Sequence, residues 1–186
     1  MVLFRSLIRA YAEPNFKACE VEGTPDPASV QEALSETIRL TNNYVATIHE
    51  SSGMFATLFF GIFDPESGLL TYVNCGHEAP IIIGPDGMEE TLKPTGPAIG
   101  VHKDHTFSIE QVKIESARTL FVYTDGTSDA QNPEGDYFTK PRLMELLEQP
   151  YASAEELIQD VTRNLKDHIS VAELYDDVTL MAIKHL

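Results

Sequence analysis

The sequence predicts an α+β fold, with mainly antiparallel sheet and helices on its outer faces. Three observations carry that prediction. Apolar residues keep helical spacing through the first fifty positions, switch to period-two alternation from Phe55 to Thr124 with short breaks, and return to helical spacing from Lys140. The strands follow one another through hairpin-length connections without a strand-helix-strand rhythm, which argues against a doubly wound parallel sheet.

Residues 2–12 place Leu3, Leu7, Ile8 and Tyr11 on one helical face, and Pro14 is expected to close the segment. Asp26-Pro27 supplies an N-cap and a first-turn proline for a second helix, in which Val30, Leu34, Ile38, Thr41, Val45 and Ile48 keep the spacing to His49. Gly53 ends that helix or begins the next turn. FATLFFGIFD, PESG and LLTYVNCG read as strand, turn and strand of a hairpin with Pro65 and Gly68 in the loop. Further strands are expected at Pro80–Ile83, Glu89–Leu92, His105–Ile114 and Leu120–Thr124, separated by Pro-Asp-Gly and Lys-Pro-Thr-Gly-Pro breaks. Helices over Lys140–Leu147 and Ser153–His168 come next, the latter with Ser153 and Glu156 in capping-box positions, and a strand over Val178–Lys184 ends the chain.

The 186 residues fit a single domain, residues 1–186, which at this length buries roughly two-thirds of its unfolded surface. Thirteen Lys and Arg against 29 Asp and Glu give a net charge of −16. That field repels nucleic acid and anionic lipid. It also repels phosphate, so phosphate chemistry here needs a cation to neutralise the site locally. Cys19 and Cys75 are far apart with no Cys-x-x-Cys pairing and read as reduced thiols, Cys75 in the core, of a cytoplasmic chain. No apolar stretch approaches the roughly 18 residues of a membrane span, so no membrane contact is expected.

The chemistry concentrates in TLFVYTDGTSDAQNPEGDYF, residues 119–138, where an apolar strand runs into Asp125, then Gly126, with Asp129 four residues on. The final strand opens with Tyr175-Asp176-Asp177, again carboxylates at a strand edge. Two strand ends can meet on one rim of a sheet. Clustered carboxylates repel one another, and a hard divalent ion with oxygen ligands relieves the repulsion. His102 and His105 fall in a loop and are expected to face solvent. There is no Gly-x-Ser-x-Gly elbow, no phosphate-binding Gly-x-x-x-x-Gly-Lys loop and no Gly-x-Gly-x-x-Gly.

VNCGHEAPIIIGPDG, TGPAIGV, FVYTDGTSDAQNPEGDYF with its following Arg142-Leu143, and YDDVTLMAIK occur in an order and spacing that resembles the SpoIIE-type metal-dependent serine/threonine phosphatases, a bacterial branch of the protein phosphatase 2C-like (PPM) family. The opening MVLFRSLIRAYA resembles that family's first long helix, so the match covers the whole chain. The resemblance implies a two-layer antiparallel β-sandwich with helices outside and a Mn²⁺ or Mg²⁺ site at one end. It implies Asp125 and Asp176 as metal ligands and Asp129 as a ligand of a further, looser ion. It implies that Asp177 and Gly126 support the ligands rather than bind metal, and that Gly76 and His77 pack. The implied reaction is in-line attack on phosphorus by a water acidified between two ions, on phosphoserine or phosphothreonine, with an anti-anti-sigma (STAS-type) regulator of a bacterial partner-switching pathway as substrate.

The family's upstream strands, with their Asp-Val-Ser-Gly-Lys-or-His-Gly motif and its metal-bridging Asp, have no counterpart here. Met1 is therefore expected to be internal to a longer protein, and the fold to lack its first strands. A missing bridge leaves at most one weakly held ion, so a phosphatase-like binding module without hydrolysis is the alternative. Lost strands also open a sheet edge, and self-association is expected. Tyr-Thr-Asp-Gly-Thr, residues 123–127, imitates a haloacid-dehalogenase signature, but Tyr123 stands where that chemistry needs its nucleophilic Asp.

Overall fold

A computed structural model describes residues 2–17 and 26–186, with four helices and seven strands among them. Cys19 lies outside the described residues. The chain divides into two compact units, Met1–His77 with Pro94–Lys113, and Glu78–Lys93 with Ile114–Leu186.

In the first unit, α1 (Val2–Lys17) and α2 (Pro27–Ile48) accompany a three-stranded antiparallel sheet of β1 (Leu58–Phe63), β2 (Leu69–Cys75) and β5 (Glu110–Lys113), in the order β1-β2-β5. Asp26 caps α2 by accepting the Ser29 N–H at 3.3 Å, with Pro27 in the first turn as the sequence predicts. Leu34, Ile38 and Val45 of α2 meet Val73 and Cys75 of β2 in a core that also takes Phe4, Leu7 and Phe16 of α1. That packing explains why α1 does not stop at Pro14. The proline sits inside the helix, and the last turn is held by Phe16 in the core and a Lys17–Glu13 ion pair of 2.6 Å. β5 is also shorter than expected. Only Glu110–Lys113 finds ladder partners on β2, because Phe107 leaves the strand path to enter the core. His102 is exposed, whereas His105 is half-buried, its ring edge-on to Phe107 at 4.8 Å.

Cys75 is fully buried, and desolvation pushes its thiol from 9.0 up to about 12. The unfolded chain therefore loses this proton first, so stability declines as pH rises from about 9 towards 12. At roughly 1.4 kcal/mol per pH unit over the two units from 9 to 11, about 3 kcal/mol should be lost through this group by pH 11. Urea unfolding at pH 8 and pH 11 should show a drop smaller by that amount in Cys75→Ala than in the parent.

The second unit holds a four-stranded antiparallel sheet in the order β4-β3-β6-β7, made of β3 (Ile81–Gly84), β4 (Gly87–Thr91), β6 (Thr119–Tyr123) and β7 (Leu180–Lys184), with α3 (Lys140–Leu147) and α4 (Ala154–Ile169). β3 and β6 are buried at every residue. Phe121 and Tyr123 of β6 join Ile81, Ile83, Phe138, Leu143, Leu157 and Val161 in its core. Ser153 caps α4 by accepting the Glu156 N–H at 3.0 Å, while the Glu156 carboxylate reaches past the cap to the Ala152 N–H at 2.8 Å.

Candidate active site

β6 is held at its end before it reaches the carboxylates. The Tyr123 hydroxyl donates to Glu78 Oε2 at 3.4 Å, and Lys140 Nζ stands 2.7 Å from the same oxygen. Burial, and then the Glu78 charge, push the Tyr123 phenol up to about 12. Asp125 does not lie in the strand. It opens a single 3₁₀ turn, Asp125–Thr127, immediately after it.

β7 likewise begins two residues later than the apolar pattern suggests, at Leu180. The Thr124 N–H donates to the Thr179 carbonyl at 3.1 Å, but the Thr179 N–H donates to Thr124 Oγ1 at 2.9 Å, so a side chain replaces the backbone acceptor and the ladder ends. The Thr124 hydroxyl in turn donates to the Asp177 carbonyl at 3.1 Å. One threonine thus ties the two acidic segments together.

Gly126 sets how closely they approach. A Cβ built there would stand 2.6 Å from the Asp177 carbonyl oxygen and 3.1 Å from its carbon. No other residue type fits without displacing backbone.

Each of the three expected ligands is oriented within its own segment. Asp125 Oδ1 accepts the Gly126 N–H at 3.0 Å, Asp129 Oδ1 accepts the Ser128 hydroxyl at 3.1 Å, and Asp176 Oδ1 accepts the Asp177 N–H at 2.7 Å. Asp125, Asp129, Asp176 and Asp177 are all exposed, and none forms an ion pair with a described residue. Gly126, Asp129, Gln131, Tyr137, Tyr175 and Asp176 line a cleft of about 460 Å³. The oxygen donors suit a hard cation rather than zinc. Their number is short, however. Among the described residues, no group of three His, Cys, Asp or Glu stands close enough to hold an ion. The structure brings the acidic segments together without gathering Asp125, Asp129 and Asp176 into a ready-made chelate.

Gly76 and His77 lie in the first unit, Gly76 exposed and His77 half-buried. Gly76 has φ +68°, a Cβ on it would meet the Ala98 amide at 3.1 Å, and the His77 N–H donates to Asn74 Oδ1 at 2.8 Å. Sequence periodicity gives no signal for Gln131, Tyr137 or Tyr175. For Tyr175 the available cue was composition: Leu174 and Tyr175 stand directly before Asp176 and Asp177.

Thr127 Oγ1 is buried with no hydrogen-bond partner, directly after Gly126. An orphaned buried hydroxyl costs about 1–3 kcal/mol. Thr127→Val, of nearly equal shape, should therefore raise stability by about 1 kcal/mol, seen as a thermal midpoint about 2–4 °C higher. A lower midpoint would mean that the hydroxyl is solvated in solution.

The family described as Stage II sporulation protein E (SpoIIE) matches residues 1–186. The chain belongs to the SpoIIE family. Protein IcfG of Synechocystis is 37% identical over 194 residues, covering 98% of this chain and 30% of IcfG. Phosphoserine phosphatase RsbU of Bacillus subtilis is 23% identical over 144 residues, covering 76% of this chain and 42% of RsbU. The chain thus spans less than half the length of either curated relative. Among solved structures, the PP2C domain of SiaA from Pseudomonas aeruginosa superposes with a TM-score of 0.72 at 18% identity, covering 98% of this chain and 69% of that one. RsbX, solved in complex with magnesium, gives 0.56 at 15% identity, covering 96% and 69%. These likenesses show that this SpoIIE-family chain has the PP2C phosphatase fold, the α+β class read from its sequence.

Proposed function

We propose that the chain is a phosphatase domain, residues 1–186, that hydrolyses phosphoserine or phosphothreonine in a metal-dependent reaction. The observation that carries this is the seating of Gly126 on the Asp177 carbonyl, which brings two carboxylate-bearing segments to one cleft. The likeness to RsbU, a phosphoserine phosphatase by name, supports the same reading.

In this reading Asp125, Asp129 and Asp176 are the metal ligands, with Asp177 and Gly126 as their support. Mn²⁺ or Mg²⁺ bound there would offset the charge of the phosphoryl oxygens and lower the pKa of an attacking water. The protein's own residues do the positioning. The Gly126 and Asp177 N–H groups and the Ser128 hydroxyl each hold one carboxylate oxygen and so limit rotation about the side chain. The cleft lining includes no cationic side chain. A phosphate group therefore enters only with its charge offset by the cation.

The substrate is an anti-anti-sigma (STAS-type) regulator in a cytoplasmic partner-switching pathway. Among the described residues, no helix is long and apolar enough to cross a membrane. Self-association through a sheet edge involves β1 or β5 of one sheet, or β4 or β7 of the other. A second reading, a binding module that docks the regulator without hydrolysis, is favoured by the shortage of ligands around any one point among the described residues.

The test is hydrolysis of p-nitrophenyl phosphate and of phosphoserine peptides during titration with Mn²⁺ or Mg²⁺, on this chain and on one extended at its amino end. Turnover that rises with metal and vanishes with chelator is the expected result. Turnover unaffected by chelator would remove the metal reading, and absence of turnover in both chains would leave the binding module.

A further inference from the structure

Beside the carboxylates, the second unit exposes large apolar side chains. Leu174 is 53% exposed, Tyr175 84% and Tyr137 56%, and all three line the same cleft as Asp129 and Asp176. Side chains of this size at such exposure mark interaction surfaces more often than solvated ones when they cluster.

Tyr137 is not on a loose loop. Gln131 and Tyr137 form an antiparallel bridge, and between them Asn132 Oδ1 accepts the N–H groups of Glu134 at 3.1 Å and Asp136 at 2.8 Å. The loop is also tied to α4. Arg142 Nη1 can only donate, so His168 Nδ1 accepts from it at 2.8 Å, and His168 Nε2–H then donates to the Asp136 carbonyl at 3.1 Å. Arg142 lies 4.8 Å over the Phe138 ring. The Tyr137 side of the cleft is therefore braced before any ligand arrives.

We propose that Tyr175, Leu174 and Tyr137 determine substrate specificity by receiving an apolar side chain adjacent to the phosphorylated residue of the protein substrate; this rests on the phosphatase reading above. The cleft is continuous with the carboxylates. An extended peptide advances about 3.3 Å per residue, so a phosphoryl group at Asp129 and Asp176 brings its immediate chain neighbours to this wall. Desolvation selects the neighbour. Asp129 and Asp176 are engaged with the cation in this reading, and none of the lining residues is basic, so a flanking Asp or Glu would lose hydration against Leu174, Tyr175 and Tyr137 with no cationic side chain to offset it, while Leu or Phe buries against the rings.

The experiment compares phosphoserine peptides carrying Leu, Phe, Ala or Asp at the positions next to the phosphoserine. The wild type should cleave the Leu- and Phe-flanked peptides with kcat/KM about tenfold above the Asp-flanked one. Tyr175→Ala and the double change with Leu174→Ala should bring that ratio close to one, and Tyr175→Phe should keep it. These side chains are largely exposed, so the changes do not threaten folding. A ratio near one in the wild type, or one that survives both alanine variants, overturns the proposal. Should neither p-nitrophenyl phosphate nor any peptide be hydrolysed, the phosphatase reading fails on its own. Fluorescence anisotropy with the same labelled peptides then decides the docking question. Tighter binding of the Leu-flanked peptide that is lost in Tyr175→Ala sustains it, and equal binding of all peptides overturns it.

Discussion

Asp125→Asn and Asp176→Asn are each expected to lower metal-dependent hydrolysis by at least about 100-fold, since even changes outside the ligand shell of metal enzymes cost 10–100-fold. The amide keeps the shape and one acceptor oxygen but removes the negative charge that attracts the ion. Both positions are exposed, so the folded state should be preserved, with thermal midpoints within a few degrees of the parent. Mn²⁺ affinity by calorimetry gives a second readout, and it should weaken at least tenfold in each variant. Since the two carboxylates belong to one proposed site, the double variant should be scarcely worse than either single one. Effects that instead multiply would assign Asp125 and Asp176 to separate sites.

Gly126→Ala is expected to damage the site without touching a ligand. Gly126 does not have the left-handed φ that would itself demand glycine. What forbids alanine is the Asp177 carbonyl oxygen 2.6 Å from the new methyl position. Backbone must move, and overpacking of this kind costs about 1–3 kcal/mol. The same movement separates Asp125 from Asp176, and misplacement of about 1 Å in a catalytic constellation costs about 100-fold. Gly53→Ala supplies the contrast. Gly53 has φ +60° with nothing within 4 Å of a Cβ, so alanine there strains the backbone by about 1 kcal/mol and should leave Mn²⁺ affinity as it is. Wild-type turnover in Gly126→Ala would show that the closeness of the two acidic segments is irrelevant to the chemistry.

Much of the fold was legible because its signals are short-ranged. The Asp26-Pro27 cap, the hairpin at Pro65–Gly68 and the span of α3 each depend on residues within a few positions of one another. The differences arose where distant packing overrode a local rule. α1 runs through Pro14 because Phe16 is held by the core, and β5 keeps four residues because Phe107 is drawn out of the strand path into that core. β7 starts late because Thr124, some 55 residues upstream in sequence, offers its hydroxyl in place of a carbonyl.

The candidate site divides the same way. The amino-acid order by itself determined the family, the α+β class and which carboxylates stand at strand ends. It could not say that Gly126 would seat against the Asp177 carbonyl, that the three aspartates would stop short of a chelate, or that Tyr137 and Tyr175 would share a cleft with two of them. Those facts depend on the β6–β7 register and on a braced loop, which join residues some 40 to 50 positions apart; only the folded chain brings them within contact distance, because nothing local in either segment encodes the other.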